Sequence, residues 1–289
     1  GTRLHETPTG GRYRVRFPDE SEGYGKGPTR PTAALPLTTP WRVVIAGSLS
    51  DVVQSTLVDD LSRESTLAGE TGWIAPGRAA WSWLTQNTGT PQLQRSYVDY
   101  AAGMGWEYVL VDANWDDWPG GDATVKDLVT YAAGKGVRIL LWYNSGGDHT
   151  VVGESPRDRM DQAATRRAEM SKIAGWGVAG IKVDFFESDK QDRIAQFIGI
   201  LRDAADHRLL VNFHGATLPR GWQRTYPHLM SHEAVQGAEY YRTGGGPHAI
   251  DNVRYAFTRN VVGSMDYTPV TFALAHKHRQ LSYAHQLAL

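Results

Sequence analysis

Residues 180–191 read GIKVDFFESDKQ, an apolar, β-branched and aromatic run that carries a lysine and an aspartate before turning abruptly charged. On an alternating strand Ile181, Val183 and Phe185 share one face, and Lys182 and Asp184 share the other. If the apolar set packs against helices, the charged pair points into the interior of a closing sheet. A carboxylate buried beside an ammonium stays ionised, which suits a nucleophile, and the lysine can bond a substrate hydroxyl. A structural buried ion pair accounts for Lys-x-Asp equally well on these residues alone.

The neighbouring segments repeat one pattern. TPQLQRSYVDYAAGMGW (90–106) leads into EYVLVDANW, and VKDLVTYAAGKG (125–136) precedes VRILLWYN. RMDQAATRRAEMSKIAGWG (159–177) precedes VAGIKVDFF, and QDRIAQFIGILRDAADH (191–207) precedes RLLVNFHG. Each helical period ends near Gly or His before a short apolar strand, the signature of βα units and a parallel sheet. Asp112, Asn144, Asp184 and His214 stand at the C-terminal ends of successive strands, about 30 to 40 residues apart, the length of such a unit. A (β/α)8 TIM barrel builds its site from single residues at that face. A doubly wound sheet would more often carry a Gly-rich phosphate loop after its first strand, and neither G-x-G-x-x-G nor G-x-x-x-x-G-K-[ST] follows any strand here. The barrel is the expected fold. WRVVIAG (41–47) reads as a strand, whereas GPTRPTAALPLTTP (27–40) cannot hold a long helix or central strand and reads as a linker.

Composition narrows the function. Thirty basic and 31 acidic side chains leave a formal charge of −1 without a Lys/Arg-rich run, so neither nucleic acid nor an anionic membrane is expected as partner. A neutral ligand fits better. The absence of cysteine excludes disulfides, thiolate zinc sites and cysteine nucleophiles, and leaves the compartment open. No apolar signal region opens the chain, and no stretch of about 18 apolar residues spans a bilayer. The polar N-terminus and the stop at AHQLAL read as cut ends of a longer protein. The oligomeric state is left open.

A second polar concentration, HGATLPRGWQRTYPHLMSHEAVQGAEYY (214–241), gathers His214, Arg220, Arg224, His232, Glu233 and Glu239. Glu239, flanked by Ala238 and Tyr240, is a candidate general acid, which must be a carboxyl in a partly apolar or anionic setting. Glu233 and Glu239 can also share a hard cation such as calcium, or lie on a solvated surface. Arg224 is read as a structural partner of the glutamates. A metal-dependent hydrolase using His214, His232, His248 and Asp266 is a weaker alternative, because GRAAWSWL (77–84) lacks the His-x-His pair such sites usually carry on the first strand.

KVDF (182–185), followed by the 214–241 segment and NVVGSMDYTPVTF (260–272), with GRAAWSWL, DANW and AHQLAL in order, resembles the catalytic barrel of glycoside hydrolase family 97. The resemblance implies an N-terminal β-sandwich, a barrel and a small C-terminal β-domain. Residues 1–39 would be the tail of the sandwich, and 40–289 a barrel truncated at its C-terminal end. In inverting members of that family a glutamate follows the histidine of the fifth barrel strand; here Gly215 stands there. In retaining members an aspartate at the end of strand four is the nucleophile, and Asp184 matches it.

The resemblance therefore implies a retaining α-galactosidase, with Asp184 as nucleophile and Glu239 as acid/base. Glu233 matches a calcium ligand, and Glu239 would also touch the ion. From their place at neighbouring strand ends, Asp112, Asn144, Lys182 and His214 are the candidates for holding sugar hydroxyls in such a site, and Trp115 for stacking on the ring. A glycoside or oligosaccharide substrate and a secreted or periplasmic location follow from the same resemblance. An inverting α-glucosidase and an inactive carbohydrate-binding relative are the alternatives.

Overall fold

The computed structural model describes residues 3–4, 8–65, 67, 69, 71–272 and 278–289; residues 1, 2 and 5–7 of the expected N-terminal segment lie outside them. A two-residue ribbon, β1 (Arg3–Leu4) with β2 (Val15–Arg16), opens the chain. The short helices α1 (Leu49–Val53) and α2 (Leu57–Asp60) follow. The expected strand at 41–47 does not form: the segment has no strand partner among the described residues, and Trp41 and Val44 are exposed. Val43 and Ile45 are only partly covered there, and without a neighbouring strand the segment has no ladder hydrogen bonds to gain.

The body is a parallel sheet of β3 (Ala79–Trp81), β4 (Tyr108–Val111), β5 (Arg138–Asn144), β6 (Gly180–Asp184), β7 (Leu210–Phe213) and β8 (Leu229–His232), hydrogen-bonded in that order. A parallel bridge from His232 to Met265 extends the edge beyond β8. Helices α3 (Trp83–Gln86), α4 (Pro91–Met104), α5 (Asp122–Gly134), α6 (Ala163–Trp176), α7 (Gln191–Asp206) and α8 (Trp222–Thr225) lie between successive strands. After β8 come α9 (Ala249–Phe257) and α10 (Tyr283–Ala288). The sheet curls: residues from all six strands, among them Ala79, Leu110, Leu140, Lys182, Asn212 and Met230, line one internal cavity of about 360 Å³. The described part is thus a curled six-stranded parallel half-barrel with its helices.

Local chemistry explains the alternation. Pro91 occupies the first turn of α4, and the Thr90 hydroxyl accepts from Leu93 N at 3.2 Å, satisfying a helix-end donor. Left-handed Gly105 and Gly177 end α4 and α6, because glycine alone adopts that turn without a Cβ penalty. The outer face of the sheet is apolar. Phe186 stacks on Phe197 of α7 at 3.7 Å between centroids, and Phe213 meets both edge-on.

One expectation about the opening stretch is corrected. The strand ends at Asp184 and Phe185 takes φ 66°, so Phe185 leaves the face of Ile181 and Val183 and turns edge-on to Trp142. Phe186 fills the core position instead. The loop that follows is tied to the N-terminal segment. Lys190, buried, donates to the carbonyls of Glu20, Glu22 and Lys26 at 3.1, 2.7 and 2.7 Å, and Gly23 N donates to Glu187 O at 2.9 Å.

Candidate active site

Parallel register brings the strand-end residues abreast. Val183 pairs with Phe213, and Phe213 with His232; one residue further along each strand stand Asp184, His214 and Glu233. These three, with Asp112, Lys182 and Glu239, line a cavity of about 390 Å³ that also receives Trp83 and Trp142. That volume lies within the range of small-molecule sites, about 300 to 1,000 Å³.

The floor is a charged pair. Lys182 Nζ lies 2.9 Å from Asp112 Oδ2 and 3.8 Å from Asp184 Oδ2, and 4.7 Å over the Trp81 ring. Trp81 Nε1 donates to Asp112 Oδ2 at 2.7 Å, and Ala113 N to Asp112 Oδ1 at 2.8 Å. Burial alone would lower the Lys182 pKa, yet the charges of Asp112 and Asp184 outweigh it and the net shift is upward; the ammonium is held charged. Asp184 is shared differently. Phe185 N donates to its Oδ1 at 2.8 Å and Trp142 Nε1 to its Oδ2 at 3.2 Å. Burial raises its pKa and, with help from the Asp112 charge, outweighs Lys182 and His214. The lysine therefore does not pull this carboxyl below its ordinary range. It limits a rise that burial imposes.

The opposite wall carries the glutamates. Gly215 N donates to Glu233 Oε2 at 3.0 Å, and His214 Nδ1 lies 3.6 Å from Glu233 Oε1. His214 Nε2 lies 2.5 Å from Asp266 Oδ2, which also accepts from Asn212 Nδ2 at 2.5 Å. Burial and Lys182 oppose a charged His214, but Asp266 and Glu233 prevail and the net shift is upward. Burial would raise Asp266, yet His214 and Asn212 hold it well below the usual carboxylate range. Trp83 Nε1 donates to Glu239 Oε1 at 2.5 Å. Among the described residues no group of three or more His, Asp or Glu side chains stands placed to hold a metal ion. Calcium takes six to eight oxygens, so Glu233 and Glu239 do not by themselves make its site.

Two expected sugar contacts stand elsewhere. Trp115 is buried at 1% exposure, its Nε1 donating to Trp142 O at 2.7 Å and its ring edge-on to Tyr143; it has no free face for a sugar. Asn144 is fully buried, and its amide holds the carbonyls of Val152 and Glu154 at 3.1 Å each. Arg224 pairs with Glu64 at 3.6 Å at the surface instead of with the site glutamates. His232 sits among Phe197, Phe213 and Trp222, and burial followed by the Arg259 charge lowers its pKa to about 3. His248 precedes α9 as its cap. The histidines of the metal-hydrolase reading are thus not gathered.

Trp83 and Trp142, which the sequence reading did not single out, hold the two carboxylates, and Asp266, named there only for the metal-hydrolase alternative, orients His214. Trp142 lies on the VRILLWYN strand two residues before Asn144, a position whose alternation points it inward. Asp266 follows a single bridge, for which no periodic signal exists.

Comparison with known proteins gives consistent results. The family model described as Glycoside hydrolase 97 matches residues 73–235. A probable retaining alpha-galactosidase of Streptomyces bingchenggensis is 41% identical across 99% of this chain and 43% of its own length. A retaining alpha-galactosidase of Bacteroides thetaiotaomicron is 31% identical across 81% of this chain and 36% of its own. Among solved structures a beta-arabinopyranosidase superposes with a TM-score of 0.85 at 39% identity, over 92% of this chain and 43% of that one. A family 97 enzyme of Pseudoalteromonas sp. strain K8, in complex with acarbose, reaches 0.66 at 20% identity over 79% and 40%, a likeness of fold alone. The chain spans less than half the length of the curated relatives it matches.

Proposed function

We propose, from the premise that this chain belongs to glycoside hydrolase family 97, that it carries the catalytic centre of a retaining α-galactosidase. Asp184 attacks the anomeric carbon of an α-galactoside while Glu239 protonates the departing glycosidic oxygen. The resulting β-galactosyl ester of Asp184 is cleaved by a water that Glu239 deprotonates, which returns the sugar in its original configuration. Lys182 and Trp142 hold the Asp184 carboxylate in place before attack, and Asp112, Lys182 and His214 present donors and acceptors to the sugar hydroxyls. Calcium enters only as an ion that would need ligands beyond Glu233 and Glu239, and no step passes through it.

The observation that carries the retaining assignment is the contact between Gly215 and Asp184. A Cβ at position 215 would lie 2.9 Å from Asp184 Oδ1 and 2.7 Å from Phe185 N. An inverting site would place a glutamate next to the strand histidine, where this backbone has room for no side chain. Asp184 and a side chain at 215 exclude one another. The likeness to a beta-arabinopyranosidase favours a second substrate, because a β-L-arabinopyranoside is an α-galactoside without its hydroxymethyl group.

The finer architecture belongs to the same proposal: a complete eight-stranded barrel, preceded by the tail of a β-sandwich with the boundary near residue 39. So does secretion or a periplasmic location. Among the described residues no helix is long and apolar enough to cross a membrane.

Azide rescue tests the nucleophile. The Asp184→Gly variant should lose turnover of an aryl α-galactoside and regain it with sodium azide, releasing β-galactosyl azide. Wild-type turnover in that variant, or rescue that gives only the α-azide, would refute the assignment. An inactive sugar-binding relative would show no turnover in either protein.

A further inference from the structure

Three residues beyond Asp184, Glu187 stands at the mouth of the catalytic cavity and lines it together with Phe185, Tyr240 and Arg242. Among the described residues its carboxyl has no hydrogen-bond or ion-pair partner. Partial desolvation at the mouth, and then the Asp184 charge, push its pKa up. A surface carboxylate elsewhere would simply face water. This one is held at the site by a backbone that is costly to form: Phe185 and Glu187 both take left-handed conformations, φ 66° and 57°. Such strain persists only where surroundings over-determine it.

The surroundings do so from two sides. From the barrel, the Ser145 hydroxyl donates to Phe185 O at 2.9 Å, and His149 Nε2 lies 2.9 Å from the same hydroxyl. Arg193 of α7 in turn contacts His149 Nδ1. From the N-terminal segment, Gly23 N donates to Glu187 O at 2.9 Å, Ser188 Oγ lies 3.3 Å from Glu22 Oε2, and Lys190 is spent on three carbonyls of residues 20–26. Ser145 N also donates to Asp184 O at 2.8 Å, so the first set spans the end of β6. Both fix the segment that carries Glu187.

We infer that Glu187 is a specificity residue that accepts hydrogen bonds from the hydroxyls of a sugar leaving group. The inference rests on the glycosidase reading above. The depth of the site assigns the side of the scissile bond: Asp112 and Lys182, buried at the floor, suit the terminal galactosyl unit, whereas Glu187, exposed at the rim, meets whatever emerges from the pocket. An acceptor-only carboxylate favours an aglycone rich in hydroxyls over an aryl or alkyl one.

The test compares Glu187→Gln, which keeps shape and removes charge, and Glu187→Ala with wild type on an α-galactosyl disaccharide and on an aryl α-galactoside. The ratio of kcat/KM for the disaccharide to that for the aryl substrate should fall about tenfold, the low end for losing a hydrogen bond to a charged group at a wet rim. The loss should appear mainly in KM. In an Glu239→Gln background, calorimetry should show weaker binding of the disaccharide after Glu187→Gln, and a smaller change for free galactose. Parallel loss on both substrates would make Glu187 a structural residue and overturn the inference, as would an unchanged ratio. Wild-type protein that turns over neither substrate and binds neither sugar would instead overturn the glycosidase reading, and this inference with it.

Discussion

Replacing Gly215 by Ala puts the argument for Asp184 under direct strain. Gly215 has φ 48°, where an L side chain costs about 1 to 2 kcal/mol. The added Cβ would stand 2.7 Å from Phe185 N, 2.9 Å from Phe185 Cα and 2.9 Å from Asp184 Oδ1, against an ordinary contact of 3.4 Å or more. Two of these three neighbours are backbone and the third is the Asp184 carboxylate itself, so relief requires about 0.7 Å of movement in that side chain or its loop, enough for about a hundredfold loss in rate when reacting groups are misplaced on that scale. The strain should therefore divide. Folding stability should fall by about 1 to 3 kcal/mol, and kcat on an aryl α-galactoside should fall about a hundredfold, more than an equal loss of stability elsewhere would produce. Steady-state kinetics well below the melting temperature, beside urea denaturation, separate the two effects. A Gly215→Ala enzyme with wild-type kcat would show that position 215 and Asp184 are not in competition, and would remove the physical basis of the retaining assignment.

Other perturbations probe the same site. Lys182→Met leaves Asp112 buried without its ammonium, and breaking a buried pair in this way should cost about 3 to 5 kcal/mol; an unchanged urea midpoint would contradict the role given to the lysine. The folded-state pKa of Asp184 is raised, so its charge opposes folding once pH exceeds the ordinary aspartate range, and that penalty is complete above the raised folded pKa. Asp184→Asn should thus melt higher than wild type at neutral pH while losing turnover, and a lower melting temperature there would be inconsistent with the shift. The same direction places the acid limb of the kcat/KM profile above the range of an exposed aspartate. Glu239→Ala should lose about 10²- to 10⁴-fold on a galactoside with a poor leaving group and far less on a dinitrophenyl galactoside, which departs without a proton; equal losses on both would deny Glu239 the acid role.

The parallel alternation and the polar strand ends were legible because both follow from local rules: helix period, C-terminal glycine, and apolar runs closed by one polar residue. Asp112, Lys182, Asp184, His214, Glu233 and Glu239 do converge on one cavity, since parallel register carries strand ends to the same side. Asn144 obeys the same rule in sequence, and Trp115 follows shortly after the Asp112 strand end, yet both turn away. Asn114 takes φ 65° and directs the Trp115 indole to a carbonyl of the next strand, while Asn144 is claimed by a loop ten residues on. Such choices are made by individual side-chain hydrogen bonds to backbone carbonyls, which leave no period to read. The segment 41–47 failed for the converse reason. Its residues favour a strand, but a strand needs a partner, and propensity does not supply one.

The central claim, retention through Asp184 and Glu239, is tested most directly by proton NMR of the first sugar released from an aryl α-galactoside. Retention predicts that α-galactose appears first and mutarotates to the β-anomer afterwards. Initial β-galactose would mean a single displacement by water, and the account of Asp184 as nucleophile would be wrong.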